Sequence, residues 1–391
     1  MKGLVLDAKW EPRSGYQLNE FEKTTGKAVT GSSIWRHPKI VVKTVDLPKP
    51  GPDEVLLRVR YCGVCGSDVH FYETDKDGYM LYPGLTKFPS IIGHEFSAVV
   101  EEVGSTVKSL KRGTPVTVEE MIWCGHCDPC RNGFPNHCTN LEEIGFTING
   151  AFAEYIVVGA KYCWPVDEIL ERFGDVEKGF QAAAYCEPAS VAYNAIFSRA
   201  GGFKPGGYAV VYGAGPIGLA AIALCQAAGA SKLIAFETSP RRRELAKALG
   251  ASHVYDPGTL AKEGSSPRQV IDQVTKGQGV DIQVEAAGMM EKTIPEMESS
   301  LAINGKIVII GRAATKVPIY LENFQVRRAQ IFGAQGHSGD QNFPSVIRLM
   351  AAGRIDMTKA VTKVTVLEHT VAAIDELVKT RAEGKILAKI S

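Results

Sequence analysis

The chain has 391 residues, 45% of them hydrophobic and 22% charged, with a formal net charge of +1. That length predicts two domains, each able to bury a core. The near-neutral charge excludes charge-driven binding to nucleic acid or to an anionic membrane, and no apolar run is long enough to span a bilayer.

The N-terminal stretch MKGLVLDAKW meets charges too early for a secretory signal, so a cytoplasmic location is expected. Within it, MKGLVLDA predicts a first strand. Residues 10–36 break the pattern: they are polar, carry Gly15, Gly26 and Gly31, and read as an insertion or long loop. Strands resume with IVVKTVDL from Ile40, EVLLRVRYCGV after the turn PKPGPDE, VEEVG at 100–104 and GTPVTVE at 113–119. The N-terminal region therefore reads as a compact β-barrel or sandwich that carries loops.

One of those loops, residues 63–95, holds the first chemistry. Cys65 is a thiolate donor, His94 an imidazole donor, and Glu95 a carboxylate beside it. A catalytic zinc needs three such ligands and keeps one position open. Ser67 and His70 follow Cys65 closely enough to relay a proton. A buried cysteine and two surface histidines is the plainer reading of the same residues.

The nine cysteines fall at 62, 65, 124, 127, 130, 138, 163, 186 and 225. An odd count without a signal argues for metal rather than disulfides. Four of them, Cys124, Cys127, Cys130 and Cys138, form C-x2-C-x2-C-x7-C in a Gly-, Pro- and Asn-rich lobe. Four thiolates can wrap one tetrahedral ion and leave no place for substrate, so this predicts a structural zinc. A nucleic-acid zinc finger is disfavoured, because no histidine pair follows and the chain is not basic.

Residues 151–166 return to β pattern, and 179–200 (GFQAAAYCEPASVAYNAIFSRA) predict a helix. Cys186 and Glu187 lie there, either one a possible approach to zinc. From Gly206 the pattern becomes α/β. The strand YAVVY runs into GAGPIG (213–218) and then a helix, and a second strand ends at the acid Glu237. This is the dinucleotide-binding context. Gly213 makes the turn, Gly215 admits the pyrophosphate, Gly218 lets helix meet strand, and Glu237 would hold the ribose hydroxyls. Helices RRRELAKALGA, SPRQVIDQVTKG and EKTIPEMESSLA alternate with strands HVYD, VDIQVEAAG, GKIVIIGRA and AQIFGAQG, which predicts a parallel sheet. Arg241–Arg243 read as a solvated face, with one arginine free to meet the cofactor. The tail from FPSVIRLMAAGRI mixes helix and strand and is expected to return to the first domain.

GVCGSDVH (63–70), GHE (93–95), the four-cysteine lobe, CEP (186–188) and GAGPIG together resemble the zinc-dependent medium-chain alcohol/polyol dehydrogenase family, over essentially the whole chain. The resemblance implies an α/β architecture: a GroES-like, β-rich catalytic domain (1–189 with 344–391) and a doubly wound Rossmann NAD-binding domain (190–343). It implies a catalytic zinc on Cys65 and His94, with Glu95 as ligand or close outer partner. Glu187 falls where the polyol branch places its remaining acidic partner, with Cys186 as the alternative. Ile217, Glu237 and Arg242 match cofactor contacts of that branch. Two zinc ions and NAD, a small polyol or cyclitol substrate and a homo-oligomer (dimer or tetramer) are expected.

Three departures bear on the substrate. Residues 10–36 have no counterpart in the usual family start. Phe71 stands where sorbitol dehydrogenases carry a tyrosine. Gly336 and His337 stand where they carry an arginine and a tyrosine near the substrate. A cyclitol ring therefore comes before a linear hexitol, with threonine, butanediol and linear polyols as competitors. A zinc-free quinone reductase would lack these ligands, and a non-enzymatic NAD sensor would not need Ser67 and His70.

Overall fold

The computed structural model describes residues 1–312 and 316–391; Ala313, the last residue of the expected GKIVIIGRA strand, lies outside them. The chain divides into two compact units. One comprises Met1–Glu187, Lys363–Arg381 and Lys385–Ser391, the other Pro188–Thr362 and Ala382–Gly384.

The first unit is β-rich, as expected. Its long strand Glu54–Gly63 is flanked by Glu95–Val103 and by the C-terminal strand Lys385–Lys389, both antiparallel to it. Alternating residues Val55, Leu57 and Val59 of the central strand are completely buried, the period of two that a packed sheet face requires. Gly63 pairs with Glu95 on one side and Leu387 on the other, so the two flanking strands converge on one end of the central strand.

A second sheet in this unit joins Lys2–Trp10, Trp35–Thr44 and Ser90–Ile91. Here the reading of 10–36 as a loop needs correction. The segment holds the end of the first strand, the helices Glu20–Thr25 and Gly31–Ile34, and the start of the next strand. Asn19 caps the first helix by accepting from Glu22 N–H at 2.9 Å. The polar, glycine-bearing composition belongs to caps and turns around a buried centre, not to an open loop.

The second unit is built on six parallel strands in the order His253–Tyr255, Lys232–Phe236, Tyr208–Tyr212, Val280–Glu285, Leu301–Ile309, Gln330–Gly333. This is the doubly wound order that reverses at its first strand, and ligands bind there beyond the strand ends. The region expected as one helix over 179–200 is three pieces, Val176–Ala184, Cys186–Tyr193 and a wider-wound Asn194–Arg199. The return to the first unit falls after Thr362, later than residue 344. Helix Asn342–Ala351 stays with the second unit, where Asn342 Oδ1 accepts from Ser198 Oγ at 2.7 Å and Phe343, Val346, Ile347 and Met350 are buried. Among the described residues no helix is long and apolar enough to cross a membrane.

Candidate metal and cofactor sites

Cys65 stands at the start of the helix Gly66–Tyr72, and its N–H donates to Asp68 Oδ2 at 2.8 Å. His94 precedes the strand that Glu95 opens. The Cys65 sulfur, a His94 nitrogen and a Glu95 oxygen all lie within 4.8 Å of one another. Sequence positions 65, 94 and 95 thus meet because two antiparallel strands end together.

Lys385 completes this cluster, and sequence reasoning missed it. Its side chain is completely buried; it pairs with Glu95 Oε2 and donates to the Val64 carbonyl at 3.1 Å. Gly63 makes the room: a Cβ there would run into the Glu95 carboxylate and touch Lys385 Cδ at 3.4 Å. Burial works against the Lys385 charge, but Glu95 and then Cys65 outweigh it and raise its pKa. Burial likewise opposes a charged His94, yet the Cys65 sulfur, with Asp68 and Glu187, holds its pKa well above the usual value. Burial pushes Asp68 up to about 6, against the pull of His94. The site is a buried alternation of negative and positive groups, which only paired charges tolerate.

Ser67 Oγ, Asp68 Oδ1 and His94 Nδ1 are buried with no hydrogen-bond partner. Buried polar atoms left in this way mark positions that a bound group completes. Thiolate, imidazole and carboxylate together suit zinc. Ser67 and His70, three residues apart on one helix, share a face. His70 is half-buried; burial lowers its pKa, Glu73 partly opposes this, and Arg381 adds to the lowering.

The other candidate ligands do not join this cluster. Glu187 lies outside it, its carboxylate within 4.8 Å of that of Glu120, another buried acid the sequence reading passed over. The charge of Glu187 still acts on His94. Cys186 is completely buried, and burial drives its thiol pKa upward, the behaviour of a core cysteine.

In the lobe, the sulfurs of Cys124, Cys127, Cys130 and Cys138 lie within 4.8 Å of one another. Backbone N–H groups point at them: Cys124 N to Cys138 Sγ at 3.3 Å, Cys127 N to Cys124 Sγ at 3.4 Å, Asn140 N to Cys138 Sγ at 3.3 Å. Such donors, His126 first, draw Cys124 down to about 5, and Cys130 first among its partners draws Cys127 to about 7. Burial pushes Cys130 up to about 12. Four sulfurs gathered at one point, with Cys124 and Cys127 the more acidic pair, fit a four-thiolate metal.

In the second unit the glycine motif has the expected form. Gly213 has φ +88°, and a Cβ there would meet Ala287 Cα at 2.8 Å. A Cβ on Gly218 would overlap the Gly213 carbonyl. Gly215 opens the helix Pro216–Ala227, and a Cβ there would find only Arg242 Nη1, at 3.9 Å. That leaves a cradle in front of the helix N-terminus, with Ile217 in its first turn, and the residues fit a dinucleotide pyrophosphate. Glu237, buried just past its strand, accepts from Ala214 N at 2.7 Å and Ser239 N at 2.8 Å.

Of Arg241–Arg243, the first is exposed as expected and the other two are half-buried, and all three are engaged within the unit. Arg241 pairs with Glu383 at 2.7 Å, Arg242 Nε donates to the Glu383 carbonyl at 2.8 Å, and Arg243 donates to the Glu237 carbonyl at 3.0 Å. Phe71 is completely buried. In the second unit, Gly336 accepts from Asn194 Nδ2 at 2.9 Å, and the buried His337 ring meets Phe343 edge-on at 5.1 Å.

The alcohol dehydrogenase GroES-like domain model matches residues 51–168, and the zinc-binding dehydrogenase model matches 216–352. The chain belongs to this zinc-dependent dehydrogenase family. It is 46% identical to a scyllo-inosose 3-dehydrogenase of Thermotoga maritima over 100% of this chain and 99% of that one. It is 34% identical to an L-threonine 3-dehydrogenase of Pyrococcus horikoshii over 81% of this chain and 86% of that one. A solved structure from Thermotoga maritima, described as an alcohol dehydrogenase, superposes with TM-score 0.94 at 44% identity, covering 99% of both chains. The protein is thus an oxidoreductase that acts on CH–OH groups of a small substrate with zinc and a nicotinamide cofactor.

Proposed function

We propose that the protein oxidises a secondary alcohol of a cyclitol with NAD, scyllo-inosose first, as a step of inositol catabolism. One observation carries the substrate. The relative described as a scyllo-inosose 3-dehydrogenase aligns over 100% of this chain, residues 10–36 included, whereas the threonine dehydrogenase of Pyrococcus horikoshii aligns over 81%.

In this reading Cys65 and His94 hold a catalytic zinc, with Glu95 and Glu187 as its acidic partners. Cys124, Cys127, Cys130 and Cys138 hold a second zinc. When bound, the catalytic zinc supplies a Lewis acid that lowers the pKa of a coordinated hydroxyl. Ser67 Oγ, buried and without a partner, takes the substrate proton, and His70 passes it outward. The cradle at Gly213, Gly215, Ile217 and Gly218 receives the pyrophosphate, beside Arg242.

Glu237 favours NAD, since a carboxylate accepts from ribose hydroxyls and repels a 2′-phosphate. Arg241 and Arg243 are engaged by Glu383 and by the Glu237 carbonyl, which supports the same preference. A homo-oligomer is supported by the edge strand Gln330–Gly333, with Ile331 exposed and Leu321 and Val326 exposed on the helix before it. An unpaired edge with apolar neighbours suits a second copy of itself.

The deciding experiment measures kcat/KM with NAD for scyllo-inosose, myo-inositol, sorbitol, arabinitol, threonine and 2,3-butanediol at one pH. A site that hydrogen-bonds several hydroxyls rejects analogues lacking them by on the order of 10⁴. Threonine or the diol ahead of every polyol and cyclitol by such a factor overturns the substrate and leaves the zinc dehydrogenase standing.

A further inference from the structure

We propose that residues 10–36 are a brace for the catalytic metal site, in which Trp35 and Phe146 act as positioning residues that fix the His94 ring through a continuous aromatic stack. The proposal rests on the reading of Cys65 and His94 as metal ligands.

The segment is built around its own buried acid. Glu22, 1% exposed, accepts from Tyr16 Oη at 2.8 Å, Asn19 N at 3.0 Å and Val29 N at 2.9 Å. Three donors around one carboxylate fold the segment onto itself.

So held, it grips the chain that leads to His94. Ala28 and Thr86 exchange backbone hydrogen bonds at 2.8 and 3.0 Å, and Gly31 N donates to Gly84 O at 3.0 Å. Trp35 Nε1 donates to Thr86 Oγ1 at 3.0 Å. The approach is close: a Cβ on Gly31 would meet Thr86 Oγ1 at 2.7 Å and Tyr82 O at 2.9 Å. Arg13 pairs with Asp75, Arg36 Nε donates to Asp77 O at 2.8 Å, and the two guanidinium groups lie 3.9 and 5.5 Å from the Tyr79 ring.

From this grip a row of rings runs to the metal ligand. Trp10 meets Trp35 at 5.0 Å, Trp35 meets Phe88 at 5.2 Å, and Phe88 meets Phe71 at 5.5 Å. Phe71 then meets Phe146 at 5.4 Å, and Phe146 meets His94 at 4.7 Å. Trp35, Phe88, Phe71 and Phe146 are all buried. The first four contacts are edge-on and the last, Phe146 to His94, is tilted at 43°; packed rings of this kind constrain orientation as well as position.

His94 needs such support. The second nitrogen of a metal-binding histidine is ordinarily tied by a hydrogen bond that sets the ring. Phe146, its ring 4.7 Å from that of His94, adds a packing constraint on the orientation of the imidazole.

The test follows zinc release to a chromogenic chelator from the full-length protein. The wild type comes first: two zinc ions per chain, leaving in two phases, are required. If the phase removed by His94→Ala is absent from the wild type, the metal-site reading fails and the brace has nothing to support. With both phases present, Phe146→Ala should release the catalytic zinc about tenfold faster, the size of effect that orienting groups have on metal affinity. Trp35→Leu should speed the same phase less, and Trp35→Phe, which keeps a ring, should restore the wild-type rate. The lobe phase should not move. kcat should fall more than KM rises, because these rings shape the metal site and not substrate contacts. If Phe146→Ala does not fold, Phe146→Leu decides. A folded Phe146 variant with wild-type release overturns the proposal, and so does equal acceleration of both phases, which would mean general loosening.

Discussion

The two candidate metal-binding regions of the first unit are built on opposite plans. The lobe takes its four sulfurs from residues 124 to 138, leaves most of them half-exposed, and surrounds them with turn amides and little core. The other region takes Cys65 from one segment and the adjacent His94 and Glu95 from a second, buries the latter two, and pairs Glu95 with Lys385 from the C-terminal strand. In the lobe, sulfurs that repel once ionised are held by a few turn amides, and an ion among them would add the main attraction. In the buried site the sheet holds the ligands before any ion arrives. A local site therefore couples metal to folding, and a site assembled by the fold couples metal to chemistry.

The largest effect that would break this contrast is on turnover. His94→Ala or Cys65→Ser should lower kcat/KM by about 10³-fold or more, the several kcal/mol a Lewis acid supplies. Metal analysis should fall from two zinc ions to one with the fold intact. A variant that lost both ions would show that the sites are not independent.

Next comes Lys385→Met, which strips a buried carboxylate of its partner. Breaking a buried pair in this way costs about 3–5 kcal/mol. Urea unfolding of metal-depleted protein should show a loss of that size, and Lys385→Met with Glu95→Gln should recover most of it. A loss of under about 1 kcal/mol would mean that the pair does not organise the site.

Cys127→Ser should act on the other side of the comparison. Losing the lobe ion should cost about 3 kcal/mol, roughly 10 °C in Tm for a domain of this size. kcat of the remaining folded protein should stay near wild type. Unchanged thermal stability and zinc content would remove the structural role of the lobe.

The same contrast governs what could be read from the chain. The lobe and the glycine motif were legible because their chemistry is a matter of spacing within a few residues. The alternation of the second unit was legible because parallel strands are buried on both faces and read as apolar runs. Lys385 was not, since its partner Glu95 is 290 positions away and a lysine in KILAKIS carries no sign of burial. Residues 10–36 read as a loop because Glu22 and Trp35 look like surface residues until their partners Val29 and Thr86 are seen. Arg241–Arg243 read as solvated because their acceptors are largely carbonyls, which leave no trace in sequence.

The smallest expected effect concerns the proton path out of the buried site. Ser67→Ala should lose turnover strongly, on the order of 10²-fold, since it removes the group that meets the substrate proton. His70→Ala should lose less, about tenfold, because water can reach the outer end of the relay. The two variants should also differ in pH dependence. Burial, only partly opposed by Glu73, lowers the His70 pKa below the ordinary 6.5. In the oxidation direction the relay needs neutral His70, so wild-type kcat/KM should hold as pH falls to 6.5 and drop only below it. Stability carries the matching sign. The unfolded chain binds this proton more tightly than the native one, so wild-type stability declines as pH falls through 6.5 and below. His70→Gln removes that decline and should gain stability relative to wild type at acid pH while losing the acid limb of the rate profile. A His70→Gln enzyme that keeps the same acid limb would assign the limb to another group and take His70 out of the relay.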